Sequence, residues 1–358
     1  MSSIRVLVAD DSALMRQTLK RVITAEPGME VVGIARDGED AVAKARDLRP
    51  DVVTMDINMP KLDGITALQL ILDEKICPVV MVSSLTQRGA MTTFECLELG
   101  AFDFVAKPDG TVSSNLGSVA TELVSKLRAA AAAGVLQRVS RNRARRLSSR
   151  DRVDVPVARW QNTGPIAVAI GISTGGPATL TEVLPLLPAD LPASVFLVQH
   201  MPASFLSAFA HRLNEHCALN VMEARAGMTV EKGVCYVAPG GLHLCPHRKS
   251  NGDIIIRTPA QPQTLFIPSV NVMMQAVLEA YGPRTVGVLM TGIGDDGADQ
   301  MVAIRKAGGL TIAESEQTAV VFGMPREAIE RGGADVIAPH FEVAQNIVQA
   351  VGKIGDRK

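Results

Sequence analysis

Aromatic residues make up only 3% of this 358-residue sequence, so its cores must be packed with Val, Ile, Leu, Met and Ala. Its five cysteines, Cys77, Cys96, Cys217, Cys235 and Cys245, are odd in number and scattered, with no C-x-x-C pair. That argues against a disulfide framework or a cysteine-rich zinc site and fits reduced thiols in a cytosolic protein. Charge of one sign is also missing. The formal net charge is −1, so no global field draws the chain to nucleic acid or membrane. No apolar run is long enough to span a bilayer. The N-terminus reaches Asp10-Asp11 too soon for the apolar region of a signal peptide. The expectation is a soluble, cytoplasmic protein with no nucleic-acid partner and no membrane insertion. The rest is an ordinary globular composition, 47% hydrophobic and 20% charged. At ~100–200 residues per domain the length favours two domains.

The first third alternates apolar runs with amphipathic stretches. Ile4–Asp10, Met29–Ala35, Asp51–Ile57, Cys77–Ser83 and Phe102–Lys107 read as strands buried on both faces. Helical patterns fall at Ala13–Glu26, Glu39–Leu48, Ile65–Glu74 and Gly89–Leu99, and a fifth from about Leu116 to Ala133. Ser12 is placed to cap the first, whose apolar face is assigned to Leu14, Leu19, Val22 and Ile23. Five βα units imply a parallel, doubly wound sheet over residues 1–134. Residues 135–163 are arginine-dense between Arg138 and Arg152 and read as a solvated linker. A second α/β alternation fills 164–352, with strands at Ile166–Ile170, Val195–Gln199, Val286–Met290 and Leu310–Ala313. Val234–Ala238 and Ile254–Arg257 suggest a small hairpin insertion there.

Ligands of parallel sheets bind beyond the carboxyl ends of the strands. In the first domain those ends carry Asp10-Asp11, Asp56, Ser83-Ser84 and Lys107. Three carboxylates on one rim repel unless a cation sits among them, and an all-oxygen donor set suits Mg²⁺. A lysine and a hydroxyl are the partners a phosphoryl group needs. Each carboxylate alone would be a strand-end cap; the whole set in strand order points to a phosphoacceptor.

In the second domain, Ile166–Ile170 runs into Gly171-Ile-Ser173-Thr-Gly175-Gly176 and then a helical pattern. G-x-S-x-G between strand and helix is the context of a nucleophile elbow, and the spacing of a dinucleotide loop is absent. A serine needs a base, and His200 stands directly after the strand Val195–Gln199. The base needs a carboxylate, and Thr291–Ala298, after another strand, carries Asp295 and Asp296. Asp299 is less suitable because it should lie inside the next helix. The order Ser, His, Asp differs from that of the α/β-hydrolases. His243 and His247 flank Cys245 in an H-x-C-x-H alternation, read as a strand with solvated histidines rather than a metal patch.

The segment from Ile4 to about Ala133 resembles a response-regulator receiver domain, of flavodoxin-like fold, and Asp56-x-x-Met59-Pro60-x-x-Asp63-Gly64 matches the turn of that family. The resemblance implies that Asp56 is phosphorylated and that Asp11, Asp56 and the Asn58 carbonyl hold Mg²⁺, with Asp10 nearby. Lys107 would pair with phosphoryl oxygens, Ser83 would be the switch hydroxyl and Phe104 the switch aromatic. The second domain resembles the chemotaxis protein-glutamate methylesterase (CheB) family. Its matching stretches are Gly171–Gly176, His200-Met201-Pro202-x-x-Phe205, Ala238-Pro239-Gly240, Thr291–Ala298 and Val321–Ala328. That resemblance implies a Rossmann-like hydrolytic domain needing no cofactor. Ser173 would be nucleophile, His200 general base and acid, and Asp296 the orienting carboxylate. The backbone N–H groups of Thr174 and Ile293 would form the oxyanion hole. It further implies hydrolysis of glutamyl γ-methyl esters, and deamidation of glutamines, on methyl-accepting chemoreceptors. A chemotaxis histidine kinase would be the phosphodonor, and the unmodified receiver would cover the catalytic mouth of a monomeric chain.

One departure stands out. The family commonly reads Arg-Pro-Ser-Val-Asp where this chain has Ile267-Pro-Ser-Val-Asn271. The expectation is a missing charge pair beside the substrate, altering rate or preference. It also motivates a rival reading, a receptor-binding regulator with impaired catalysis. The arginine linker alone motivates another, a DNA-binding response regulator.

Overall fold

Val- and Ile-rich runs, buried on both faces in the central strands, build two parallel sheets. The structure, a computed structural model, describes residues 3–84, 87–107, 117, 119–133 and 164–357. Contacts gather the chain into two units, Met1–Ala144 and Arg145–Lys358. The expected linker, 135–163, and the expected start of the fifth helix near Leu116 lie outside the described residues.

The first unit holds β1 (Ile4–Ala9), β2 (Met29–Ala35), β3 (Val52–Asp56), β4 (Val79–Ser83) and β5 (Asp103–Ala106). They form one parallel sheet in the order β2-β1-β3-β4-β5, the flavodoxin-like topology. Its helices are α1 (Ala13–Thr24), α2 (Gly38–Leu48), α3 (Gly64–Asp73), α4 (Gln87–Leu99) and α5 (119–133). Ser12 caps α1 by accepting from the Met15 N–H at 3.4 Å. Leu14 does not join the apolar face: it is 56% exposed while Leu19 and Ile23 are buried. Five residues before Leu19, it points about 140° away from it around the helix.

The second unit builds a seven-stranded parallel sheet, in the order β14-β13-β12-β6-β7-β9-β8. Its strands are β6 (Ile166–Ile172), β7 (Ala193–Gln199), β8 (Asn220–Glu223), β9 (Val234–Val237), β12 (Thr285–Leu289), β13 (Leu310–Glu314) and β14 (Val336–Ala338). Its α-helices are α6 (Gly176–Val183), α7 (Ala203–His216), α8 (Val270–Tyr281), α9 (Ala298–Lys306), α10 (Met324–Glu330) and α11 (His340–Gly355). A hairpin insertion is present, but Val234–Val237 is not part of it. The pair is β10 (Cys245–Arg248) with β11 (Ile254–Arg257), antiparallel, whereas β9 lies between β7 and β8 in the main sheet. Strand order reverses at β6. From there β7 runs to one side and β12 to the other, so the crevice at their carboxyl ends is the topological switch point where such sheets bind ligands.

Candidate functional site

The carboxyl rim of the first sheet gathers the groups expected there. Asp10 follows β1, Asp56 ends β3, Ser83 ends β4 and Lys107 follows β5. Lys107 Nζ lies 2.9 Å from Asp56 Oδ2 and 3.0 Å from Asp10 Oδ2. Carboxylate oxygens of Asp10, Asp11 and Asp56 all lie within 4.8 Å of one another. Burial pushes the Asp56 carboxyl above its usual range, and repulsion from Asp10 and Asp11 adds to this against the pull of Lys107. Lys107 is held charged: burial opposes the charge, but Asp56 and Asp10 outweigh it and raise its pKa. Asp10 Oδ2 has the Lys107 ammonium as its partner, and the three carboxylates gathered round that one cation carry the negative charge that attracts a divalent ion. An oxygen-only donor set of this kind fits Mg²⁺. Gly64 makes the turn after β3 possible, because a Cβ there would sit 1.9 Å from the Asp56 carbonyl oxygen. Ser83 Oγ accepts from Thr93 Oγ1 on α4 at 2.7 Å. Phe104 is buried, its ring edge-on to Phe94 at 6.4 Å.

At the crevice of the second sheet, Ser173 leaves β6, His200 leaves β7, and the Thr291–Asp296 loop leaves β12. The loops are tied together by main chain: the Ser173 N–H donates to the Thr291 carbonyl at 2.9 Å and the His200 N–H to the Ile172 carbonyl at 3.1 Å. Gly175, at φ +76°, turns the chain into α6; a Cβ there would also meet Val320 at 2.5 Å. The N–H groups of Thr174 and Ile293 have no partner among the described residues, which leaves both able to donate to an oxyanion.

His200 Nε2 lies 2.9 Å from Asp296 Oδ2. A carboxylate only accepts, so Nε2 carries the proton and Nδ1 keeps its lone pair. Nδ1 is buried without a hydrogen-bond partner among the described residues. Ser173, 7% exposed, makes no side-chain hydrogen bond among the described residues. The structure therefore joins His200 to Asp296, and leaves the Ser173 side chain without a hydrogen bond among the described residues, on a turn tied by main chain to the loops that carry the other two. Asp295 points elsewhere, to Arg331 at 2.7 Å, which also binds Asp299 and Glu327.

Several residues of this crevice carry no sequence motif. Asp296 is seated on the start of α8: Oδ1 accepts from Ser269 Oγ (2.9 Å) and the Asn271 N–H (2.9 Å), and Oδ2 from the Val270 N–H (2.7 Å). Burial pushes this carboxyl up, but the bond to His200 and the N–H donors outweigh it and hold it below its usual range. His243 supports that seat. It is fully buried, with Nδ1 accepting from the Ser269 N–H (3.2 Å) and Nε2 donating to the Pro262 carbonyl (2.9 Å). The expected face of solvated histidines does not exist, since His243 precedes β10 and points inward. Phe266 stacks on the His200 ring, centroids 4.2 Å apart and planes 13° from parallel. Buried Gln199 donates to the carbonyls of both Ser173 and His200 at 2.9 Å.

A family profile described as CheB methylesterase matches residues 168–347, and one described as response regulator receiver domain matches residues 6–112. Over 354 residues the chain is 57% identical to protein-glutamate methylesterase/protein-glutamine glutaminase 3 of Syntrophomonas wolfei, covering 98% of this chain and 100% of that one. It is 51% identical to the protein-glutamate methylesterase/protein-glutamine glutaminase of Caldanaerobacter subterraneus, covering 98% and 97%. Among solved structures, the Thermotoga maritima CheB methylesterase catalytic domain is similar with a TM-score of 0.51 and 36% identity, covering 52% of this chain and 98% of that one.

Proposed function

We infer the function from one premise: the chain belongs to the CheB methylesterase family, with a response-regulator receiver domain ahead of the hydrolytic one. It is a phosphorylation-activated protein-glutamate methylesterase and protein-glutamine glutaminase of chemotactic adaptation. Its substrates are methylated chemoreceptors and its phosphodonor is a histidine kinase. Among the described residues no helix is long and apolar enough to cross a membrane.

The observation that carries the reading is the His200–Asp296 pair, Nε2 bonded and Nδ1 open, at the mouth of the turn that bears Ser173. Ser173 Oγ attacks the γ-carbonyl carbon of a glutamyl methyl ester while Nδ1 of His200 takes its proton. Asp296 stabilises the imidazolium, and its seat on α8 keeps it ionised. The N–H groups of Thr174 and Ile293 receive the oxyanion, each such donor being worth roughly 10²–10³ in turnover in other hydrolases. Nδ1–H then protonates the departing methoxide, giving methanol and an acyl-serine. Water, deprotonated by Nδ1, cleaves the acyl-serine to the free glutamate and restores Ser173. A glutamine amide follows the same path and releases ammonia.

In the receiver, Asp56 takes the phosphoryl group. The receiver domain binds Mg²⁺, which would be held by the carboxylates of Asp11 and Asp56 and the carbonyl of Asn58, with Asp10 nearby. Bound there, the ion supplies positive charge to the phosphoryl oxygens. Lys107 pairs with one of those oxygens, a role supported by its ion pairs to Asp10 and Asp56. Ser83 at the end of β4 is the hydroxyl that turns to the modified Asp56, and Phe104 the aromatic that follows it.

Methanol release from methylated receptor, with and without a small phosphodonor, tests the reading. Ser173→Ala should abolish release, and Asp56→Asn should abolish the response to phosphodonor. Release at the normal rate from Ser173→Ala would remove the nucleophile assignment.

A further inference from the structure

Glu314 ends β13 with no exposed surface, and no step of the hydrolysis above uses it. An ionisable group kept fully buried needs partners, and those of Glu314 lead to the nucleophile. Oε2 accepts from the Thr291 N–H at 2.8 Å, and Oε1 accepts from Thr318 Oγ1 at 3.0 Å. Burial raises its pKa, while the Thr291 bond, the charge of His340 and the Thr318 bond favour the ionised form. His340 is itself anchored, with Nε2 2.9 Å from Glu182 and its N–H donating to Thr318 Oγ1.

Thr291 is fully buried and uses every polar atom it has. Its N–H goes to Glu314. Its Oγ1 donates to the Thr174 carbonyl at 2.9 Å and accepts from the Val321 N–H at 2.9 Å. Its carbonyl accepts the Ser173 N–H. One residue thus grips the backbone on both sides of the Ser173–Thr174 peptide, and it heads the loop that carries Ile293 and Asp296.

We propose that Glu314 is a positioning residue of the hydrolytic reaction, whose buried carboxylate fixes Thr291 so that Thr291 sets the backbone from which Ser173 attacks and Thr174 donates to the oxyanion. Glu314 touches no reacting atom. Its action falls on the transition state rather than on substrate binding, because the groups it aligns matter as the tetrahedral centre forms. The proposal rests on Ser173 being the nucleophile.

The test measures kcat and KM for methanol release by the full chain, activated with a small phosphodonor. Rates are counted per active site titrated with a fluorophosphonate, so unfolded protein does not enter. Glu314→Ala should lower kcat by about tenfold or more, equivalent to about 1.4 kcal/mol, with KM changed by less than about twofold. Glu314→Gln keeps an acceptor for the Thr291 N–H and should retain at least about a third of kcat. Thr291→Val deletes the Oγ1 bonds and should lose kcat similarly to Glu314→Ala; the double variant should be no worse than about twofold below either, since both cut one chain of contacts. Full kcat in Glu314→Ala, an equal loss in Glu314→Gln, or a loss confined to KM would each overturn the proposal. If Glu314→Ala does not fold, Glu314→Gln and Thr291→Val decide it: full kcat in Thr291→Val overturns it. Ser173→Ala, which has no serine to titrate and is counted per folded protein, runs beside them. Methanol release from that variant at the normal rate would reject the nucleophile reading itself, a failure distinct from unchanged kcat in the Glu314 variants.

Discussion

Replacing Ser269 by alanine removes a single hydroxyl that serves both the helix and the site. Ser269 Oγ accepts from the Val272 N–H at 3.3 Å as the N-cap of α8, and it donates to Asp296 Oδ1 at 2.9 Å. Loss of a serine N-cap costs about 1 kcal/mol, and a hydrogen bond to a charged group contributes about 1.5–3 kcal/mol. Both come from one atom, so they do not add in full, and Asp296 keeps the N–H groups of Val270 and Asn271. The expected destabilisation of the hydrolytic unit is therefore about 1–3 kcal/mol. It has a defined pH dependence. The Asp296 carboxyl is lowered in the folded chain, so its contribution is present above the ordinary value near ~3.9 and is lost as pH falls through the lowered one. Ser269→Ala moves the folded value back up, so the stability gap between the two proteins should narrow as the pH falls below about 4. Turnover should fall by roughly tenfold in kcat/KM, far less than the ~10⁴ that follows loss of a triad carboxylate's charge. Calorimetry of the full chain and methanol release measure the two effects. A stability loss with unchanged kcat/KM would refute the claim that this seat orients His200 through Asp296.

Asp296→Asn should be much more severe, because an amide cannot accept from all four donors around it; kcat/KM should drop by about 10³–10⁴ in methanol release, and a loss below tenfold would count against the orienting role. Lys107→Ala removes the cation between Asp10 and Asp56, so stimulation of methanol release by phosphodonor should disappear; full stimulation would show that Lys107 has no part in the switch. Gly175→Ala forces a side chain to φ +76° and into Val320, which should destabilise the hydrolytic unit by about 2–4 kcal/mol in calorimetry; an unchanged transition would mean that the turn has another low-strain form.

The site residues legible in the sequence share one property: each ends a buried strand or lies on the loop that leaves its carboxyl end. Parallel βα alternation sends every such position to one rim, so Asp10, Asp56, Ser83 and Lys107 could be placed together without knowing which strands are neighbours. The same holds for Ser173, His200 and Asp296. What was not legible depends on strand order, which local pattern does not dictate. Glu314 meets Thr291 because β13 lies beside β12, and Gln199 reaches Ser173 because β7 lies beside β6. In sequence β9 reads as half of a hairpin, because a short apolar run looks the same in either sheet and its neighbours β7 and β8 are remote in sequence or weakly patterned. β10 is legible as a strand from the His243–His247 alternation, but not its pairing with β11.

The Ile267–Asn271 departure shows how the missing layer changes a functional conclusion. Read as side chains, Ile267 and Asn271 are a lost charge pair and a reason to doubt catalysis. In the fold, this segment is the seat of Asp296, and its donors are the Ser269 hydroxyl and the N–H groups of Val270 and Asn271. Any residue but proline supplies an N–H, so aspartate and asparagine at 271 are equivalent for that purpose, and the side chain of Ile267 is not among the donors. The rival reading of an impaired regulator loses its motive at this point. What the departure changes is the side chains around that seat: Asn271 Oδ1 is buried without a hydrogen-bond partner among the described residues. The seat of Asp296 is thus built from main chain and one serine hydroxyl, which is why the change at 267 and 271 leaves its donors in place.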